Sequence, residues 1–473
     1  CCSEARGIEH SFNPSADIAE ASRGGWAEDE QDSQAGETLA EEGASLVTLD
    51  AVCLLPGTTA CRGPGGGAAY CGLDALLALV AAGDLALVRG SWLAELSAAA
   101  GVLPRRQELP QEALCSPDAV AASPVVAVSH CWHTSSHPDP EGEQLRTLGG
   151  IIRQFAERHR SREDWDFAVF IDWCSLHQEP RSAAETASFE RCLQHASLLY
   201  AHRETHVWML TTPAPCAHPY DERGWPTFEH AISQMMTRDG NLLDLGHFDG
   251  RCSDWSRTAE VCRARRLPPL VPETFSWVLR GKVFSNVADQ VLLDTSYRET
   301  FQDMMVYAQR LRFCGLGWGD SEAHQLAEAI PRFGSLQELS LRENRICDDG
   351  TARLASAIPH CPCLAVLDLC SNVISDSGAE QLAEMLPRCS SLQALDLSRN
   401  SIGDDGIAKI AAIIPLCICM HSLLLSGNDI GDNGAGRIAA VIPDSAKLRV
   451  LDLSENEISE CAVEKLVAVV SRC

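Results

Sequence analysis

Two α/β builds are predicted along this 473-residue chain: a parallel-sheet domain in the middle and a C-terminal array of α/β repeats. Two observations carry the prediction. Asn344, Asn372, Asn400, Asn428 and Asn456 recur every 28 residues, in step with Pro331, Pro359, Pro387, Pro415 and Pro443, and a fixed period of this length marks stacked supersecondary units. Upstream, three apolar runs, Pro124–Ser129, Phe167–Asp172 and His206–Thr211, alternate with helical patterns over Gln144–His159 and Ala184–Tyr200. Apolar strands separated by helices indicate a parallel sheet covered on both faces.

The N-terminal part carries neither pattern. Residues 1–50 hold twelve carboxylates against Arg6 and Arg23, a net −10, with few large apolar side chains, and are expected to form a disordered acidic tail. That tail accounts for over a third of the formal charge of −27 set by 38 basic and 65 acidic side chains. A balance so acidic argues against nucleic-acid binding and against anionic membrane surfaces, both of which require clustered Lys and Arg. The 22 cysteines form no CxxC pairs and are scattered through apolar stretches, which indicates a reducing, cytoplasmic setting. The chain opens on Cys1 rather than Met, so a preceding segment is expected. Residues 51–120 read as a short helical region, with the Pro64–Gly67 loop followed by helices over Leu73–Val88 and Ser91–Ala100, and without evident chemistry. The α/β domain then spans 121–310 and the repeats 311–473.

In a parallel sheet, ligands bind beyond the strand carboxyl ends, here at Ser129, Asp172 and Thr211. The motifs at those ends have a likeness. SHCW at Ser129–Trp132 is similar to the S-Y-C-W opening of fungal heterokaryon incompatibility domains, with His130 in place of Tyr, and IDWCSLHQ at Ile171–Gln178 is similar to their I-D-x-x-C-I-N-Q. Trp225–Glu229 resembles the W-x-x-x-E that follows the third strand of Toll/interleukin-1 receptor (TIR) domains. The resemblance spans about 100 residues and fades past Ile232. It implies a TIR-like domain that self-associates or signals, or one that cleaves NAD as substrate with no resident cofactor. In the second case Glu229 would be the catalytic carboxylate, stabilising positive charge that builds on the ribose, and Ser129, Trp132, Asp172, Gln178 and Trp225 would line the pocket. A plainer account exists for Glu229: Pro226 suits the first position of a helix, and any carboxylate is favoured in a first turn. His130, Cys131, His133 and His137 crowd one loop, but without CxxC no metal is expected. A thiol nucleophile at Cys131 or Cys174 is a weaker alternative, and no P-loop motif occurs.

Around each repeat Asn the pattern is LxxLxLxxN, as in Leu336, Leu339 and Leu341 before Asn344, with Met420 in one first slot. This resembles leucine-rich repeats of the ribonuclease-inhibitor type and implies a horseshoe: a short strand with inward leucines, an Asn bonding the turn, and a return helix such as Gly350–Ile358 or Gly378–Leu386 ended by Pro. A degenerate unit at Leu316–Ile330 would cap the array. Cys361, Cys389 and Cys417 share a slot with Phe333 and Ser445, which makes it a packing position. Glu338, Arg342, Asp368, Asp396, Leu424 and Asp452 would face the concave surface and bind a protein partner, with the aspartates favouring a basic one; the alternative is a solvated spacer. Similar repeats occur in Ran GTPase-activating proteins, but no residue here matches their loop Arg. The preferred expectation is a protein-recognition horseshoe coupled to a TIR-like domain that signals or homo-oligomerises. An NAD glycohydrolase and a small-GTPase regulator are the alternatives.

Overall fold

In the computed structural model, residues 73–160, 165–202, 204–212, 218–236, 240–445 and 447–470 are described, and all belong to one compact unit. The acidic stretch 1–50 and the Pro64–Gly67 run lie outside them. Strands β1 (Val88–Arg89), β2 (Val125–His130), β3 (Ala168–Phe170), β4 (Thr205–Leu210) and β5 (Leu242–Asp244) form a sheet in the order β1-β3-β2-β4-β5. β2 to β5 are parallel, and β1 closes one edge antiparallel to β3. The chain winds outward from β2 to β3, then crosses back to β4 on the other side of β2, so the winding reverses between β2 and β4.

Alternation along the strands sorts the two faces. Val125, Ala127, Phe170, Val207 and Met209 enter one apolar cluster, and Val126, Val128, Ile171, Trp208 and Leu210 enter the other. The helices are α1 (Asp74–Ala81), α2 (Gly90–Ala98), α3 (Pro117–Ala122), α4 (Glu143–His159), α5 (Asp172–Ser175), α6 (Ala183–Gln194), α7 (Ala196–Ala201), α8 (Gly224–Met236), α9 (Trp255–Val261), α10 (Pro272–Arg280) and α11 (Ala288–Tyr307). α2, α4 and α9 cover the second face; α7 and α8 cover the first, backed by α10 and α11.

Three expectations change here. The helix anticipated over Leu73–Val88 stops at Ala81, where Gly83 turns the chain at φ +75°, and Val88 joins β1. The helix over Ala184–Tyr200 breaks at His195 into α6 and α7. No boundary falls at residue 120, because β1 extends the sheet and α2 packs on α4.

The repeats supply a second parallel sheet: β6 (Arg310–Arg312), β7 (Glu338–Ser340), β8 (Val366–Asp368), β9 (Ala394–Asp396), β10 (Ser422–Leu424) and β11 (Val450–Asp452). Helices α12 (Asp320–Ala329), α13 (Asp348–Ala357), α14 (Asp376–Met385), α15 (Asp404–Ile413), α16 (Asp432–Val441) and α17 (Glu460–Val470) return between and after the strands. The opening unit has its own strand, β6, ahead of the expected cap at Leu316. A ladder of asparagines ties the turns: Asn372 Nδ2 donates to Leu341 O and Leu369 O at 3.0 Å, while its Oδ1 accepts from Ile346 N at 3.1 Å. Neighbouring asparagines repeat the pattern, satisfying backbone groups that would otherwise be buried unpaired. Phe333 and Cys361 are buried and Cys389, Cys417 and Ser445 half-buried in the shared slot. Burial pushes the Cys361 thiol up to about 12, as a packing residue requires.

The two sheets do not have separate cores. The apolar cluster on the α8 face runs on through Phe275, Tyr297 and Phe301 to Leu311, Phe313 and Trp318 and into the repeat leucines. Among the described residues, no helix is long and apolar enough to cross a membrane.

Candidate functional site

Strand alternation decides what Ser129 and His130 can reach. Ser129, in register with Val125 and Ala127, points to the α8 face; His130 follows Val126 and Val128 to the α4 face. Two polar groups therefore stand back to back at the carboxyl end of β2.

On the α8 face the Ser129 hydroxyl donates to Glu229 Oε2 at 2.5 Å and shares a hydrogen bond with the Tyr220 hydroxyl at 2.5 Å. Ser129 and Tyr220 are buried, whereas Glu229, in the second turn of α8, is half-buried. The Tyr200 hydroxyl donates to Val128 O at 3.2 Å and lies near enough to Glu229 to lower its pKa. Burial pushes the Glu229 carboxyl up to about 8; the nearby Asp172 charge adds to this, and the Ser129 bond and the His130 cation work against it.

On the α4 face His130 Nε2 meets Asp172 Oδ1 at 2.8 Å and Nδ1 meets Gln144 Oε1 at 2.7 Å. The Gln144 amide is oriented by its Nε2, which donates to Cys131 O at 2.7 Å. Both ring nitrogens thus face acceptors, an arrangement that favours the imidazolium. Burial alone would lower its pKa, but the Asp172 carboxylate and the two hydrogen bonds outweigh it and hold it above the usual histidine range. Asp172 shows the mirror image: burial raises it, and His130, the Trp132 indole and Trp173 N together bring it below the usual carboxylate range.

Of the anticipated pocket residues, Ser129 and Glu229 meet directly, and Asp172 and Trp132 meet through a 2.8 Å bond from the Trp132 indole. The two pairs are linked by field rather than by contact. Gln178 is a brace, with Nε2 donating to Asp172 O and Leu176 O. Trp225 stands apart: its indole donates to Asp289 Oδ2 at 2.9 Å and its ring packs edge-on to Phe228, so it joins α8 to α11. Two of the loop residues raised as metal ligands are otherwise engaged, His130 with Asp172 and Gln144 and His137 with Leu103 O and Asp139 N. Burial pushes Cys131 up to about 11 and Cys174 beyond the usual thiol range, which disfavours a thiolate at either.

Sequence reasoning missed Tyr220, Tyr200 and Gln144, named His130 without its pairing to Asp172, and missed also Arg106 and Gln107, which brace the loop after β3 through Ser175 O and Gln178. For His130 and Gln144 a signal existed: period-2 alternation puts the residue beside Ser129 under the first turn of α4. A cavity of about 370 Å³ lined by Arg89, Cys115, Trp165 and Asp166 lies at the opposite, amino-terminal end of the strands.

On the repeats, the strands present Glu338, Asp368, Asp396, Leu424 and Asp452, with Arg342 two residues beyond β7. The three aspartates are already engaged: Asp368 with Ser340 Oγ and Cys370 N, Asp396 with Ser398 N, Asp452 with Ser454. Burial, together with the Asp368 charge, raises the Asp396 pKa. Ligand atoms of Asp368, Cys370 and Asp396 lie within 4.8 Å of one another, and this local bonding accounts for their arrangement. Glu338 is flanked by Arg312 at 2.8 Å and Arg310 at 3.5 Å. The strip is therefore basic at its first repeat, acidic further along, and apolar at Leu424.

The family model described as Leucine Rich repeat matches residues 360–383, 388–411 and 416–439. No curated protein matches the chain. Among solved structures, the chain is similar to a Caenorhabditis elegans tropomodulin C-terminal domain (14% identity over 31% of this chain and 90% of that one, TM-score 0.28). It is also similar to leiomodin-1 actin-binding site 2 (13% identity, 37% and 85%, TM-score 0.25) and to the Arabidopsis thaliana BIR2 ectodomain (16% identity, 32% and 68%, TM-score 0.19).

Proposed function

We propose that the chain is a protein-recognition protein in which the concave face of the leucine-rich repeats takes a protein partner and a TIR-like α/β domain carries self-association or signalling. The observation that carries this is the continuous core: a recognition surface built into the same apolar cluster as the α/β domain is placed to act on it. The parallel strands, taken in chain order, lie 2-1-3-4, the beginning of the flavodoxin-like arrangement, and this supports the TIR-like reading. The proposed contact strip comprises Glu338, Arg342, Asp368, Asp396, Leu424 and Asp452. Introducing a charge at its apolar point, Leu424→Arg, is expected to weaken a captured partner at least tenfold, whereas Lys409→Glu on helix α15 leaves capture unchanged. Equal loss from both variants, or from neither, would remove the concave face from the proposal.

A second reading is favoured by one observation, the Ser129–Tyr220–Glu229 group at the carboxyl end of β2, where the winding reverses and ligands of such sheets bind. Under it the chain cleaves NAD, Glu229 stabilising the developing ribose cation. With its pKa near 8 that carboxyl is mostly neutral at pH 7 and ionised at pH 9, so nicotinamide release should climb between those values and vanish in Glu229→Gln. Absence of release across the range, at high as well as low protein concentration, would end this reading.

A further inference from the structure

Resting on the reading of the chain as a recognition array joined to a site-bearing domain, we infer that Arg266 is the coupling residue between the two, one guanidinium that holds the carboxyl end of α8 and the first repeat strand together. Its Nε donates to Gln234 O at 2.8 Å and its Nη2 to Met235 O at 2.9 Å. Those carbonyls belong to the last turn of α8, where a cation is favoured by the helix dipole. The remaining arm, Nη1, donates to Arg312 O at 3.3 Å in β6, and the guanidinium lies 4.6 Å over the Phe313 ring. From the repeat side, the Trp318 indole donates back to Arg266 O at 2.8 Å. Neighbouring contacts fasten the same segment to α12, Arg265 to Glu322 at 2.7 Å and Gln325 to Pro268 O.

The division of the fork matters. A planar five-donor fork holds the carbonyls of two elements in one fixed geometry, whereas an ammonium is a compact point charge that fixes neither direction. Glu229 lies on the same helix, five residues before Gln234, and pins it to β2 through Ser129. At the other end, Arg312 extends its side chain onto the concave face and pairs with Glu338. A partner that draws on Arg312 or Glu338 therefore displaces the carbonyl that Arg266 grips. The last turn of α8 feels the displacement, and the helix carries it to the Ser129–Glu229 bond. Linkage makes the effect reciprocal.

The test is hydrogen exchange in the full chain and needs no partner. Asn344→Ala loosens the first repeat, since Asn344 holds Phe313 O, Leu316 N and Trp318 N and does not bond α8. Exchange in α8, taken relative to α4 on the opposite face so that global unfolding cancels, is expected to rise roughly fivefold or more in Asn344→Ala. In an Arg266→Ala background α8 should already be fast, and Asn344→Ala should add nothing. If Arg266→Ala does not fold, Arg266→Lys replaces it and should shrink the Asn344→Ala increment. An α8 unmoved while β6 loosens, or equal increments with and without Arg266, overturns the inference. Either result leaves the concave-face proposal standing, because partner capture tests that separately.

Discussion

Ser129 and His130 are adjacent in sequence and serve opposite faces of one sheet, and the chemistry of each is set by its neighbours. His130 is buried and paired with Asp172, so removing it strands a carboxylate whose side chain is only 34% exposed. His130→Leu is expected to cost about 3 kcal/mol in chemical denaturation, and Asp172→Asn less, since a histidine can shed its proton. The signs of the linkage agree for His130 and Glu229. Both pKa values are raised on folding, so each contributes stability that is fully present below its unfolded value, near 6.5 and 4.5, and lost as pH rises through the folded value, about 8 for Glu229. Glu229→Gln removes one of these losses and should make the chain more stable than the parent at pH 9, on the order of 2 kcal/mol, with the difference vanishing near pH 4. A parent that is equally stable at pH 5 and pH 9 would contradict this. Asp172 works in the other direction, its lowered pKa costing stability as the medium turns strongly acid. The part of this site legible in the sequence was what sits in short motifs: Ser129, Asp172 and Glu229. Tyr220 and Tyr200 were not legible, because each is a single aromatic residue brought in by the packing of α7 and α8, and no spacing marks it.

At the scale of the element, the repeat shows how much of a fold one period can reveal. Leucines and asparagines at 28-residue spacing announce strand, turn and return helix, and the structure supplies each. Less visible is a second column, Asp320, Asp348, Asp376, Asp404 and Asp432, at the first positions of helices α12 to α16. Any acid is favoured there by the dipole, so in sequence it reads as ordinary helix punctuation. In the fold it is a strut between repeats: Asp348 Oδ1 accepts from Ser375 N at 2.8 Å and Gly378 N at 3.0 Å of the next unit. The same contact explains the glycine, because a Cβ at Gly378 would lie 2.6 Å from Asp348 Oδ1 and 2.7 Å from the Ile374 side chain. Gly378→Ala should therefore destabilise by about 1–3 kcal/mol, despite the better helix propensity of Ala, because the close approach cannot be relieved without moving a strut. A third column sits in the left-handed region, Glu343, Ser371, Arg399 and Glu455 at φ between 54° and 58°, with Gly427 at 65°. Ser371→Gly relieves a strain of about 1 kcal/mol while adding unfolded-state entropy, so its net effect should stay within ±0.5 kcal/mol. The short elements were not legible. β1 has two residues and β5 three, too few for alternation to register, and β1 is a strand only because β3 offers it an edge.

For the whole molecule, sequence patterning separates a sheet domain from a repeat array, because the period changes near residue 310. The side chains ignore that change. Leu311, Phe313 and Trp318 belong by period to the repeats, yet they lie in the same apolar cluster as Phe301, Tyr297 and Phe275, which back the α/β sheet. Trp318 is fully buried, and its indole bonds Arg266 O beyond the repeats. Repeat arrays whose units touch only their neighbours can unfold piecewise, whereas a shared core couples the modules. Removing the Trp318 ring opens a cavity at the joint and should cost about 3–5 kcal/mol. In a divided molecule that cost would fall on the repeats alone. In a molecule whose sheet domain and repeats share this cluster, thermal unfolding of the full chain is a single transition, and Trp318→Ala lowers it for hydrogen-exchange probes in α4 and in α14 alike. Two resolved endotherms, or a shift seen at α14 with α4 unmoved, would show that the modules are energetically independent and that recognition at the concave face has no mechanical route to the sheet.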